Sequence, residues 1–207
     1  CLSGVPNHTK PAAVNVMSSQ RSPTYLTYKP TLTQPTRLMI HPSIALDRLQ
    51  KQVLISEDAL QARIAALGAQ ISQDYAGKDL LLVCILRGGV VFLTDLMRHI
   101  SVPHQVDFMS VASYDKGARA STGSVRVILD LRTNITDLHV LVIEDIIDSG
   151  HTLKNVLEML SARKPASLQI CSLLDKFSRR EVAVPLAYIG FQIEDRFVFG
   201  YGLDVDE

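Results

Sequence analysis

Two stretches of this sequence are apolar along almost their whole length and run into glycine-bearing turns. Residues 79–86 (DLLLVCIL) lead into Arg87, Gly88 and Gly89, and residues 138–143 (LHVLVI) lead into a loop over 144–150 that ends at Gly150. A strand with one wet face alternates apolar and polar side chains, so a strand apolar on both faces has to be covered on both. Each run precedes a segment of helical periodicity, 90–99 and 152–163, and in the second Leu153, Val156, Leu157 and Leu160 share one face. Strand, glycine turn and helix make half of a βαβ unit. A further helix is read from Ser56, with Glu57 and Asp58 at its positive end, through Leu60, Ile64, Leu67 and Ile71 to Gly77. Strands are expected at 104–112, 125–131, 168–174, 187–191 and 197–201. The fold class is α/β, a mostly parallel central sheet flanked by helices.

Charge divides the chain unevenly. Its 207 residues hold 21 Lys and Arg against 21 Asp and Glu. Residues 1–38 carry Lys10, Arg21, Lys29 and Arg37 but no acid, together with five of the nine prolines and ten Ser or Thr. That leaves 17 basic residues against all 21 acidic ones in the remainder, so the neutral total joins a +4 segment to a −4 domain. The segment reads as a disordered leader, with an organelle transit peptide the weaker alternative, and the domain as 39–207. The first residue is Cys1 rather than Met, which reads as a fragment or a processed product. An acidic domain argues against a nucleic-acid partner. No apolar run approaches the ~18–20 residues that span a bilayer, so no membrane partner is expected. Cys1, Cys84 and Cys171 are far apart and fit neither a disulfide framework nor a zinc site, which suits a reducing cytoplasm.

The most informative stretch is 140–152, VLVIEDIIDSGHT. A buried strand delivers Glu144, Asp145 and Asp148 to its carboxyl end, where open α/β sheets bind ligands. Ser149, Gly150, His151 and Thr152 then open a helix whose first N–H groups and positive dipole end suit a phosphate. Two adjacent carboxylates can accept hydrogen bonds from vicinal ribose hydroxyls and stand near Mg²⁺, which prefers oxygen ligands and substrate phosphates. A helix cap and solvated loop acids would account for single residues here. They would not account for three acids crowded at one strand end, because close carboxylates repel unless a cation or a donor-rich ligand lies between them.

This stretch closely resembles the phosphoribosyl-pyrophosphate (PRPP) motif of the type I phosphoribosyltransferases, and over 39–207 four further segments follow in that family's order. Within the family the likeness is to members acting on hypoxanthine and guanine. The resemblance implies a small hood subdomain beside the sheet and an Mg²⁺-dependent transfer of phosphoribosyl from PRPP to a 6-oxopurine. It implies that Glu144 and Asp145 hold the ribose hydroxyls, directly or with Mg²⁺, and that Ser149, Gly150, His151 and Thr152 hold the 5′-phosphate. Asp148 becomes the proton acceptor facing purine N7. His151 departs from the Lys that many relatives carry, so its charge near pH 7 is partial. Arg87 and Gly88 resemble the pyrophosphate loop, often built on a non-proline cis peptide. Ser113 and Tyr114, with the segment to Gly123, resemble a mobile loop that closes over the reaction centre.

The same resemblance assigns the base pocket to Lys176, donating to the 6-oxo group, to Phe197, stacking on the base, and to the main chain of Val198. Asp204 matches an acid that holds a second Mg²⁺ through water. The family's pyrophosphate-binding Arg beyond this point has no counterpart before Glu207, which implies a chain cut short there. Homodimers or homotetramers are the family's usual assemblies. Two other readings are a PRPP-sensing regulator on the same fold and a transferase specific for xanthine or pyrimidines. A dinucleotide-binding or P-loop enzyme is disfavoured, since neither GxGxxG nor GxxxxGK[ST] occurs.

Overall fold

The computed structural model describes residues 53–113 and 125–203; the expected leader, Tyr114 with the loop to Gly123, and Asp204 lie outside them. Helix α1 (Glu57–Asp74) starts where expected, with Ser56 Oγ accepting from the Ala59 N–H at 3.3 Å. It is followed by β1 (Leu80–Leu86), α2 (Gly89–Arg98), β2 (His104–Ser113), β3 (Val125–Leu129) and β4 (His139–Ile147). Then come α3 (His151–Ser161), β5 (Ser167–Asp175) and β6 (Leu186–Gln192). The six strands form one sheet in the order β3-β2-β1-β4-β5-β6. Only the β2–β3 pair is antiparallel.

The apolar strands are buried on both faces, as their composition requires. Leu80, Leu82, Cys84, Leu141 and Ile143 pack with Ile64, Leu67 and Ile71 of α1 and Phe92, Leu93 and Leu96 of α2. The alternate residues Leu81, Val83, Val140 and Val142 pack with Leu153, Val156, Leu157 and Leu160 of α3. Each buried aliphatic side chain contributes roughly 1.5–3 kcal/mol. Two helices on one face and one on the other therefore complete the covering that a fully apolar strand demands.

Two expectations about the elements are corrected. Strand β4 does not stop at 143 before an acidic loop: it continues to Ile147, because β5 stays in register beside it through Glu144–Ser172, Ile146–Leu174 and Ile147–Asp175. Glu144 and Asp145 thus sit on a strand, held by its ladder. The strand expected at 197–201 does not form, and the segment makes a single bridge, Gly200 to Leu203. Its backbone turns left-handed at Gly200, Tyr201 and Gly202, with φ of 97°, 51° and 85°, which no strand can accommodate. The alternation in FVFGY is real in the sequence, but Phe197 and Phe199 are both exposed while Val198, Tyr201 and Leu203 pack on the α1–α2 side of the core. The Tyr201 hydroxyl donates to Asp95 Oδ2 at 2.6 Å and ties this segment to α2.

One buried acid holds the outer sheet edge. Asp107 on β2 accepts from the N–H groups of Phe108 at 2.8 Å, Arg132 at 2.9 Å and Thr133 at 2.8 Å, clasping the chain that leaves β3. Burial alone would push its carboxyl up, but the donors from Thr133, Phe108 and Arg132 outweigh burial and hold it below the ordinary value. A carboxyl depressed on folding adds stability above its unfolded value of about 4 and loses it as pH falls through the lower folded value. Asp107→Asn should therefore cost roughly 2 kcal/mol at pH 7 in urea denaturation, as charge-assisted bonds are lost. The gap to the wild type should narrow below about pH 4; a gap that does not change with pH would contradict this role.

Candidate active site

Strand order places the site. The chain passes from β1 through α2 to β2 on one side of the sheet, and from β4 through α3 to β5 on the other, so β1 and β4 are neighbours whose connections diverge. The crevice at their carboxyl ends is where open α/β sheets bind ligands. Three turns meet there, following β1, β4 and β5.

The turn after β1 and the acidic end of β4 are in direct contact. The Leu86–Arg87 peptide is cis, as the motif anticipated, and Gly88 follows. A Cβ on Gly88 would overlap the Asp145 carboxylate, so that position admits no larger residue unless Asp145 moves. Asp145 Oδ1 also accepts from the Ile146 N–H at 2.9 Å. Beside it, Glu144 is part-exposed as a residue, yet its Oε2 is sealed from solvent and has no hydrogen-bond partner. Burial, and then the charge of Asp145, hold the Glu144 carboxyl well above the usual carboxylate range. Burial and the same two carboxylates push the Cys84 thiol up to about 12, which leaves it an inert core group. An orphaned carboxylate oxygen next to a second carboxylate fits a hard cation or a vicinal diol. Among the described residues no group of three or more His, Cys, Asp or Glu is arranged to hold a metal, so a cation here would share this pair with ligand oxygens and water.

Beyond the acids the chain forms a cavity of about 210 Å³, lined by Glu144, Asp148, Ser149, Gly150 and Thr152 with an apolar wall from Ile146, Ile147 and Leu153. Gly150 takes φ 89° and precedes α3, and no side chain caps that helix. Its first N–H groups are therefore available to an anion. The loop is braced from behind, because the N–H groups of Glu181 and Val182 both donate to the Ser149 carbonyl, at 3.0 and 3.2 Å. Arg180 pairs with buried Asp175, and a Cβ on Gly150 would lie 3.1 Å from Arg180 Nη1. The His151 imidazole is not part of the cavity wall: its Nε2 lies 2.8 Å from Glu181 Oε2. Position 151 thus has its main-chain N–H, rather than its ring, to offer an anion.

The β5 turn lies alongside. The Lys176 N–H donates to the Ile147 carbonyl at 3.0 Å, and its side chain is only 13% exposed, so this is not a solvated surface lysine. Asp148 is half exposed, and its Oδ1 accepts from Arg179 Nε at 3.0 Å. Arg179 Nη1 reaches Asp195 Oδ2 at 3.3 Å, and Asp195 Oδ1 lies 3.7 Å from Lys176 Nζ. Phe197 is 63% exposed and its ring stands 6.4 Å from that of Phe199, while Val198 is partly buried against the core. Of the residues singled out from the sequence, Glu144, Asp145, Asp148, Ser149, Gly150, Thr152, Gly88 and Lys176 are brought to one end of the sheet. Ser113 ends β2. Arg179, Arg180 and Asp195 were not anticipated, since their importance lies in partners that no local pattern reveals.

The chain is similar to known proteins over most of its length. A family model described as a phosphoribosyl transferase domain matches residues 44–206. The hypoxanthine phosphoribosyltransferase of Escherichia coli K12 is 52% identical over 155 residues, covering 74% of this chain and 86% of that protein. The hypoxanthine-guanine phosphoribosyltransferase of Mycobacterium avium is 47% identical over 163 residues, covering 76% and 80%. Among solved structures, a hypoxanthine phosphoribosyltransferase from Staphylococcus aureus superimposes with a TM-score of 0.72 at 46% identity, covering 75% of this chain and 84% of that one. The match over residues 44–206 and the identity to these relatives show that the chain belongs to the phosphoribosyltransferase family.

Proposed function

We propose that this protein is a purine-salvage enzyme that transfers the phosphoribosyl group of PRPP to hypoxanthine or guanine, giving IMP or GMP and pyrophosphate. The observation that carries the reading is the contact between the Asp145 carboxylate and the Gly88 turn beside an uncapped helix start. It supports reading the acid pair as the diol-binding group, the turn as the anion-binding one and the helix start as the phosphate site. The relatives' names supply the base.

Displacing pyrophosphate from ribose C1 requires a neutralised leaving group, a stabilised cationic sugar and an activated base nitrogen. Mg²⁺, held by Glu144 and Asp145 with substrate oxygens and with Asp204 on a second ion, would supply Lewis-acid neutralisation of the pyrophosphate. Arg87 adds a permanent cation suited to the anionic leaving group, and Gly88 gives the backbone close access. Glu144 and Asp145 hold the ribose hydroxyls, and their negative charge favours the developing oxocarbenium ion. Ser149, Gly150, Thr152 and the His151 N–H bind the 5′-phosphate. Asp148 accepts the proton on the N7 side while Lys176 stabilises negative charge on the 6-oxygen. Phe197 stacks on the base and the Val198 carbonyl meets its Watson–Crick edge; Ser113, which ends β2, leads into the segment proposed to act as the closing loop. The buried, unpaired thiols Cys84 and Cys171 accord with a reducing cytoplasm, and assembly as a homodimer or homotetramer is part of the proposal.

The direct test is an assay with PRPP and Mg²⁺ against hypoxanthine, guanine, xanthine, adenine, uracil and orotate. Product from hypoxanthine or guanine is expected; product from a pyrimidine alone, or from no base, would overturn the reading. Asp148→Asn should lower turnover by roughly 10²–10⁴-fold while sparing PRPP affinity, and near-wild-type turnover would remove that role. Gly88→Ala should cost on the order of 10²-fold in kcat by displacing Asp145, a change visible in steady-state kinetics. Lys176→Ala should weaken 6-oxopurines more than adenine; equal losses would contradict its assignment.

A further inference from the structure

We propose that Arg179 is a positioning residue for base transfer: by bridging Asp148 to Asp195 it holds the carboxylate that reads the purine N7 side at a fixed spacing from Lys176, which reads the 6-oxo group. This rests on the activity proposed above. A half-exposed aspartate just past a strand end keeps rotamer freedom unless something ties it, and ordering it during the reaction would cost part of the rate. Asp148 lies one residue past β4 and Lys176 one residue past β5, and where the ladder between these strands ends the Lys176 N–H donates to the Ile147 carbonyl. That bond sets the two backbones but leaves the half-exposed Asp148 side chain to swing.

Arg179 removes the freedom. Its own N–H donates to the Lys176 carbonyl at 2.9 Å, which anchors it in the short 3-10 turn Phe177–Arg179. Its Nε donates to Asp148 Oδ1 at 3.0 Å and its Nη1 to Asp195 Oδ2 at 3.3 Å. The second oxygen of Asp195 lies 3.7 Å from Lys176 Nζ. Four charges of alternating sign, Asp148, Arg179, Asp195 and Lys176, therefore form one arc. Asp148 has Oδ1 committed to Arg179, which leaves Oδ2 for a ligand N–H. In a 6-oxopurine the 6-oxygen and N7 lie on one edge, so reading both atoms demands that Asp148 and Lys176 keep a set separation. A planar guanidinium can span two carboxylates at once, whereas an ammonium is a point charge. The side chains of Arg179, Asp148 and Asp195 are 52%, 48% and 51% exposed, so the bridge adds little to folding. Its effect is on the geometry of the reacting edge.

The full chain is assayed with PRPP, Mg²⁺ and hypoxanthine. Arg179→Ala should lower kcat on the order of 10–100-fold, leave KM for PRPP within about two-fold and move Tm by no more than roughly 2 °C. Asp195→Asn, which cuts the bridge from the other side, should lower kcat in the same direction. Arg179→Lys keeps the charge but not the span, so it should stay close to the Ala variant. In the Asp148→Asn background, Arg179→Ala should cost less than about two-fold more, because the two act as one unit. Turnover of Arg179→Ala within about two-fold of wild type, full rescue by Lys, or losses that multiply in the double variant would each overturn the inference while leaving the activity standing. A wild-type chain without turnover would instead overturn the activity, and this role with it.

Discussion

A parallel strand buried on both faces can present polar atoms only at its ends, and that constraint organises this protein. Strands β1 and β4 are sealed by α1 and α2 on one side and by α3 on the other, so their chemistry is confined to the carboxyl ends. Because their connections leave in opposite directions, the α2 and α3 crossovers do not cover that end. The acids of β4, the turn after β1 and the start of α3 meet in the opening. Packing thus creates the site before any ligand is considered.

Within the opening, electrostatics favour an occupant. Glu144 carries a sealed oxygen without a partner and lies beside Asp145, an arrangement that burial and like charge both penalise. A ligand that brings cations and hydroxyl donors relieves the penalty. The opposite side of the cavity is built for negative charge, with the uncapped start of α3 and Arg180 behind Gly150. One small cavity therefore has an acidic wall, which the proposed function gives to a sugar and its cation, and a positive wall, which it gives to phosphate. The Asp148–Arg179–Asp195–Lys176 arc extends the same alternation of sign toward the proposed base site.

Much of this was legible from residue order. The covered sheet followed from apolar runs without alternation, α1 from Ser56 and its heptad-like spacing, and the ligand end from three acids before SGHT. The errors have local causes. The alternation of FVFGY suggested a strand, but its glycines allow a left-handed turn around Tyr201, and the tyrosine is held there by Asp95 on α2, more than a hundred residues earlier in the chain. Glu144 and Asp145 read as loop residues because charge usually ends a buried strand, yet the neighbouring β5 ladder carries β4 through them. His151 is a different case: its place in the phosphate motif was read from position, and the pairing of its ring with Glu181 leaves the main-chain N–H for that proposed role.

The sequence by itself determined the class of fold, the family and the residue types at the carboxyl end of β4 and the start of α3, because those depend on contiguous segments whose spacing is set by one strand, one turn and one helix start. Only the tertiary structure decided what each charged group touches. Gly88 against Asp145, Arg180 behind Gly150, and Arg179 between Asp148 and Asp195 join residues from different turns. Such pairings arise from the order and register of strands in the sheet, and no local pattern encodes them. The neutral total of 21 basic and 21 acidic residues conveys none of this, since what matters at the site is the sign of the nearest charge.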